Sequence, residues 1–238
     1  MKPSGHDAYR TLMMSPEWAQ TVFSNNLIEY ERVIDGFLAD IDNKKDPTGY
    51  TYGLITIFGI YVNFHEKAKA LEVLERLDQI EPPDGLDFAK TIAEKLFVEL
   101  DDIELAERYI TRALEIKHPN PDFHLVVISL ALAISVKSNP HTERIQDLLD
   151  TLLDCIQNRR FYNRHLMQSM RILVPLGLVS WKGRFILEAM WAKLSVNVKF
   201  YPQKDRKTLK EIAELHILLP KLDVNKFLSE LKEKTDTI

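Results

Sequence analysis

The chain has 238 residues, 45% of them hydrophobic and 28% charged, with a formal net charge of −4. This excludes a chain dominated by disorder and allows a substantial core in one or two domains. A single cysteine, Cys155, excludes an intrachain disulfide and points to a reducing, cytoplasmic setting, while only 8 glycines argue against a sheet protein built on many tight turns.

Residues 1–14 read as a flexible polar tail without the apolar core of a secretory leader. Ser15, Pro16 and Glu17 form a helix start: a capping hydroxyl, a proline whose missing donor is harmless in the first turn, and an acid favoured by the helix dipole. That helix is predicted to reach about residue 40, open to a break near 24–26, with Ile28, Val33, Ile34, Phe37 and Leu38 inward. After a polar turn over 43–47, helices are predicted over 48–63, 65–81, 84–99 and 102–117 as antiparallel pairs. The pattern is clearest in the helix from His65. Its apolar set is Ala70, Leu71, Leu74, Leu77 and Ile80, its polar face carries Lys67, Glu72, Glu75, Arg76 and Glu81, and Pro82 stops it.

Pro119-Asn120-Pro121 breaks the chain before an apolar run over 123–136. This run has 14 residues including a histidine and two serines, whereas spanning a bilayer takes about 20 apolar residues, so no membrane segment is expected. It reads as a helix buried on most sides, with a buried strand as the alternative. Asn139-Pro140 caps the next helix, where Ile145, Leu148, Leu149, Leu152, Leu153 and Ile156 supply the inward stripe and Cys155 is a buried structural thiol. Further helices follow near 163–174, 182–199, 205–218 and 223–234, although 195–201 alternates enough for a short strand. Residues 207–231 are also open to a nucleic-acid-binding helix-turn-helix, with Ala213 in its first helix and 227–231 in its second; the long leucine-rich turn argues against it.

The pattern from His65 recurs 36 residues later, with Ala106, Ile110 and Ala113 where Ala70, Leu74 and Leu77 stood. With Tyr61 on the preceding helix and Pro82 at the end, residues 50–119 resemble the tetratricopeptide repeat, whose period is about 34 residues. Departures from the family pattern are His65 and Asp101 in place of the loop glycine, and Lys90 at an aromatic position. The resemblance implies an all-α fold, an α-solenoid of antiparallel helix pairs with roughly ten helices. It also implies a groove lined by first helices: Tyr52, Ile55, Gly59, Val62 and Asn63 in one unit, and Phe88, Thr91, Lys95, Val98 and Glu99 in the next. Family members that clamp an acidic carboxyl terminus carry lysine and asparagine where this chain has Ile55 and Gly59, so a more apolar peptide or helix is the expected ligand.

Charge is distributed unevenly. Residues 157–210 carry 12 basic side chains against two acids, a net of +10; residues 211–238 carry −2, which leaves −12 on residues 1–156. Three regions follow: the tail at 1–14, an acidic repeat-like region at 15–160, and a basic then mixed-charge helical region at 161–238. Arg159, Arg160, Arg164, Arg171, Lys182 and Arg184 form the candidate basic surface, with Phe161, Tyr162, Trp181, Phe185, Trp191, Phe200 and Tyr201 interleaved. Three meanings stand: a surface for an acidic protein partner, a nucleic-acid surface, or core rings beside a solvated face that meets the acidic half of this or a second copy. The last makes homo-oligomerisation through oppositely charged ends an expectation.

Chemistry of the catalytic kind lacks support in the residues. His65-Glu66 is followed by Lys69 where a zinc-protease helix needs its second histidine, and one cysteine with seven scattered histidines specifies no metal site. Neither a phosphate-binding glycine loop nor a Gly-x-Ser-x-Gly elbow is present. His124 and His165 read as hydrogen-bonded structural groups. The expectation is therefore a non-enzymatic adaptor or scaffold without cofactor that binds a partner peptide or helix. The alternative is a regulator or assembly factor contacting nucleic acid through residues 157–210.

Overall fold

The computed structural model describes residues 27–40, 47–80, 86–116, 121–139, 143–158, 161–178 and 180–195. Every regular element among them is helical: α1 (Leu27–Asp40), α2 (Pro47–Asn63), α3 (Lys67–Asp78), α4 (Leu86–Val98), α5 (Ile103–Glu115), α6 (Pro121–Ser138), α7 (Glu143–Asn158), α8 (Asn163–Leu173), a 3-10 turn (Val174–Leu176) and α9 (Trp181–Ser195). The expectations for 1–26, for a strand beyond Ser195 and for helices or a helix-turn-helix over 205–234 lie outside the described residues. Two compact units divide between Ala106 and Glu107, within α5. The charge boundary at residue 160 is a different line, because charge is a surface property whereas compactness follows helix packing.

In the first unit, α1 buries Tyr30, Val33, Ile34 and Phe37, a row at helical spacing. Ile28, predicted inward, stands almost opposite that row and is 63% exposed. Tyr30 meets Phe64 edge-on with ring centroids 5.4 Å apart, and Phe37 stacks on Tyr50 at 6.1 Å. Helix α2 begins on Pro47, whose missing N–H is no loss in the first turn, and the Thr51 hydroxyl donates to the Pro47 carbonyl at 2.8 Å. It packs against α1, α3 and α4.

The turn after α2 closes by a Schellman arrangement in which Glu66 N–H donates to Tyr61 O at 2.9 Å and His65 N–H to Val62 O at 3.0 Å. His65 adopts φ 60°, and Asp101, 36 residues on, adopts φ 50°; these two are the only non-glycine residues of positive φ among the described residues. Both are the positions at which glycine was missing from the sequence pattern. A side chain in the left-handed region costs about 1–2 kcal/mol, and glycine returns part of that relief as unfolded-state entropy. His65→Gly is accordingly expected to stabilise the first unit by about 0.5–1 kcal/mol, and His65→Val to destabilise it by at least that much. Thermal denaturation of the two variants checks the sign.

Helix α3 buries Ala70, Val73, Leu74 and Leu77, while Leu71 and Ile80 are only half-buried. In α5 the residues 36 positions later, Ala106, Tyr109, Ile110 and Ala113, are buried in turn. Asp102 caps α5 by accepting the Leu105 N–H at 3.3 Å and also pairs with Lys67 at 3.0 Å, tying the start of α3 to that of α5. Lys69 pairs with Glu31 and lies 5.7 Å from the centre of the Tyr61 ring. Hydrogen bonding to Glu31 raises the Lys69 pKa, and burial, assisted by the Glu31 charge, raises that of the Tyr61 phenol.

In the second unit, α6 is enclosed almost continuously from Leu125 to Ser135. The run over 123–136 is thus a helix buried on most sides, and the strand alternative is overturned. It packs against α7 and α8, while α9 packs against α7 and α8. Arg144 on α7 bridges Glu107 and Thr111 of α5, both at 2.9 Å. The predicted α7 stripe is buried at Ile145, Leu148, Leu149, Leu152 and Ile156, and Cys155 is buried among them. Among the described residues no helix is long and apolar enough to cross a membrane.

Candidate functional site

The groove residues implied by the resemblance lie on α2 and α4, which pack against each other. Their meeting point is Gly59, where a Cβ would lie 3.4 Å from Lys95 Cε. The Lys95 stem crosses α2 over Gly59, and its ammonium donates a long hydrogen bond, 3.4 Å, to Asn63 Oδ1. A lysine and an asparagine thus meet on this face through Lys95 and Asn63, although Ile55 and Gly59 hold the family positions for such groups. Of the residues in the set, Tyr52 is 49% and Val98 66% exposed, Asn63 and Glu99 are exposed, and Ile55, Phe88 and Thr91 are half-buried.

Val62 is a correction to the predicted lining. It is fully buried, because α2 has helices packed on it from several sides, and it presents nothing to a ligand. Val98, 36 residues on and at the end of α4, stands in solvent. Lys90, the other anomaly of the pattern, is buried and pairs with Glu94 one turn on, at 2.5 Å, so its charge serves α4 itself.

Of the basic residues, Arg159 and Arg160 lie outside the described residues. Lys182 forms an ion pair with Asp150 of α7, which neutralises it within the unit. Arg164, Arg171 and Arg184 are exposed. The interleaved rings divide sharply. Trp191 is core and Phe161 half-buried, whereas Tyr162, Trp181 and Phe185 are 74%, 68% and 42% exposed. The latter two sit one turn apart on the outward side of α9, whose inward side is Gly183, Ile186, Leu187, Met190 and Leu194. With apolar groups on both sides, α9 has no periodic contrast by which its outer face could be read from sequence.

The buried polar residues of the second unit hold α8 in place. Asp122, at the start of α6, accepts the Tyr162 N–H at 3.0 Å and lies 3.5 Å from His165 Nδ1. Ser169 follows His165 by one turn, which assembles the residue types of an acyl-transfer triad, but its hydroxyl is fully enclosed and out of a substrate's reach. Cys155 is likewise buried. No group of acids, histidines or cysteines among the described residues is placed to hold a metal ion.

Comparison of the chain with protein-family models, with curated proteins and with solved structures finds no match in any of the three.

Proposed function

We propose that the chain is a non-enzymatic adaptor, a tetratricopeptide-like array of helix pairs that holds a peptide or helix of a partner protein on the face shared by α2 and α4. The observation that carries this reading is the pair of exposed apolar groups, Tyr52 and Val98, on the two helices that Lys95 links across Gly59. An exposed aromatic ring, a hydrogen-bonding cation and an exposed carboxylate, Glu99, are the mixture by which a helix-lined surface takes a peptide.

Three further features support the repeat architecture. The left-handed turn residues His65 and Asp101 recur at the 36-residue interval of the buried alanines Ala70 and Ala106. The contacts of Tyr30 with Phe64 and of Phe37 with Tyr50 support an antiparallel pairing of α1 with α2. Within each unit a helix also meets the next but one: α2 with α4 in the first, α6 with α8 and α7 with α9 in the second. That neighbour pattern is what stacked helix hairpins produce.

The test is a pull-down from nuclease-treated native lysate, comparing the unaltered chain with a Tyr52→Ala/Val98→Ser/Lys95→Glu variant. These side chains are exposed or half-buried, so the variant's melting temperature is expected to stay within a few degrees of the parent's. A discrete protein held by the parent and weakened at least about tenfold in the variant is the expected result. Equal retention by both chains, or no protein retained by the parent from the nuclease-treated lysate, would remove the function from this face.

A further inference from the structure

The second unit carries a cationic and aromatic surface that the α2 and α4 reading does not use. Residues 161–187 contain no aspartate or glutamate, the first acid of α9 being the half-buried Glu188 one turn beyond Arg184, and they present three exposed arginines, Arg164, Arg171 and Arg184, and three exposed rings, Tyr162, Trp181 and Phe185. None of the three guanidinium groups forms an ion pair among the described residues; the fourth cation, Lys182, is matched by Asp150. An apolar ring left in water forgoes the gain of burial, and two of them, Trp181 and Phe185, stand one turn apart on the outward side of α9, with Arg184 next to Phe185 in sequence. Trp, Tyr and Arg are the residue types that dominate binding energy at protein interfaces.

We propose that this outward face of α9, with Tyr162, Arg164 and Arg171 of the adjoining α8 region, docks a short acidic segment of a partner protein that also carries an apolar side chain. The arginines supply planar, two-pronged recognition of carboxylates. Trp181 and Phe185 cover the apolar group, and exclusion of water there strengthens the charge pairs at its edge.

Charge also decides between peptide and nucleic acid. The three arginines of this face, which form no ion pair among the described residues, neutralise only about three phosphates, which gives weak, salt-sensitive binding. A short acidic peptide needs no more than these local cations. Exposed Asp147 on α7 makes a second copy the natural competitor.

The experiment selects a displayed library of random short peptides on the full chain, then repeats the selection on Trp181→Ala/Phe185→Ala and on Arg164→Glu/Arg171→Glu/Arg184→Glu. All five side chains are exposed, and circular dichroism of each variant verifies the fold. The expected result is enrichment of acidic peptides bearing an aromatic or aliphatic residue. Their affinity should fall at least about tenfold in either variant and weaken with salt. The Tyr52→Ala/Val98→Ser/Lys95→Glu variant should bind them as the parent does, which separates this surface from the α2 and α4 face. Recovered peptides without acidic bias, undiminished affinity in both variants, displacement of the peptides by single-stranded oligothymidylate at equal concentration, or concentration-dependent self-association abolished by the arginine reversals would each overturn the proposal.

Discussion

Gly53→Ala is expected to destabilise the first unit by about 2–3 kcal/mol, although alanine is the better helix former by about 1 kcal/mol. A Cβ on Gly53 would overlap the ring of Phe37, which is fully buried and stacked on Tyr50. The ring has no room to retreat in a close-packed interior, so α1 must lift from α2 or Phe37 must leave its rotamer. Gly59, six residues along the same helix, provides the control. Its Cβ would make an ordinary 3.4 Å contact with the flexible end of Lys95, so Gly59→Ala is expected to raise stability by about 0.5–1 kcal/mol. Chemical denaturation measures both signs, and hydrogen exchange locates the loss. In Gly53→Ala the amides of α1 should open first while those of α6 remain protected. Equal effects at the two glycines would contradict the close approach of α1 and α2 at this point.

The contrast between these glycines marks what was readable in the sequence. Periodicity alone placed the helices: the alternation of Ala70, Leu74 and Leu77 with Glu72, Glu75 and Arg76 returned α3 with its buried face, and the 36-residue echo returned α5. The turns were legible in a different way. His65 and Asp101 stood out because glycine was absent, and the backbone occupies the left-handed region at both regardless. What periodicity could not convey was which neighbour each face meets. Gly53 and Gly59 are alike in sequence and differ only because Phe37 arrives at one and Lys95 at the other.

The same limit explains the candidate sites. Val62 and Val98 stand 36 residues apart near the ends of α2 and α4, yet one is enclosed by helices and the other stands in water. Lys182 belonged to a run of positive charge along the chain and is silenced by Asp150, which is 32 residues away in sequence and on another helix. Trp181 and Phe185 were indistinguishable from core rings such as Trp191, because an outward apolar pair on a helix already apolar inside erases the amphipathic signal. Residue type and spacing report local preference; exposure is decided by the rest of the fold.

Asp122→Ala is expected to cost the second unit about 2–4 kcal/mol, a large effect for a single polar side chain. Asp122 is 4% exposed and serves two elements at once, standing in the first turn of α6 and accepting the backbone N–H of Tyr162 at the start of α8. His165 Nδ1 lies 3.5 Å from the same oxygen, and His165 is itself buried. Truncation withdraws an acceptor from a peptide N–H and a polar neighbour from an enclosed imidazole. Asp122→Asn retains an acceptor for Tyr162 and is expected to recover about half of the loss. In a double-mutant cycle with His165→Gln, the combined loss should fall short of the sum by at least about 1 kcal/mol, since the second change removes a group whose partner has already gone. Strict additivity would mean that Asp122 acts on Tyr162 alone. The pair also bears on the outer surface. Tyr162 and Arg164 flank the segment that Asp122 anchors, so a loosened α8 start should weaken acidic-peptide binding in Asp122→Ala more than in Asp122→Asn. Pinning by a buried carboxylate would then be what holds an exposed tyrosine and arginine in register with Trp181 and Phe185.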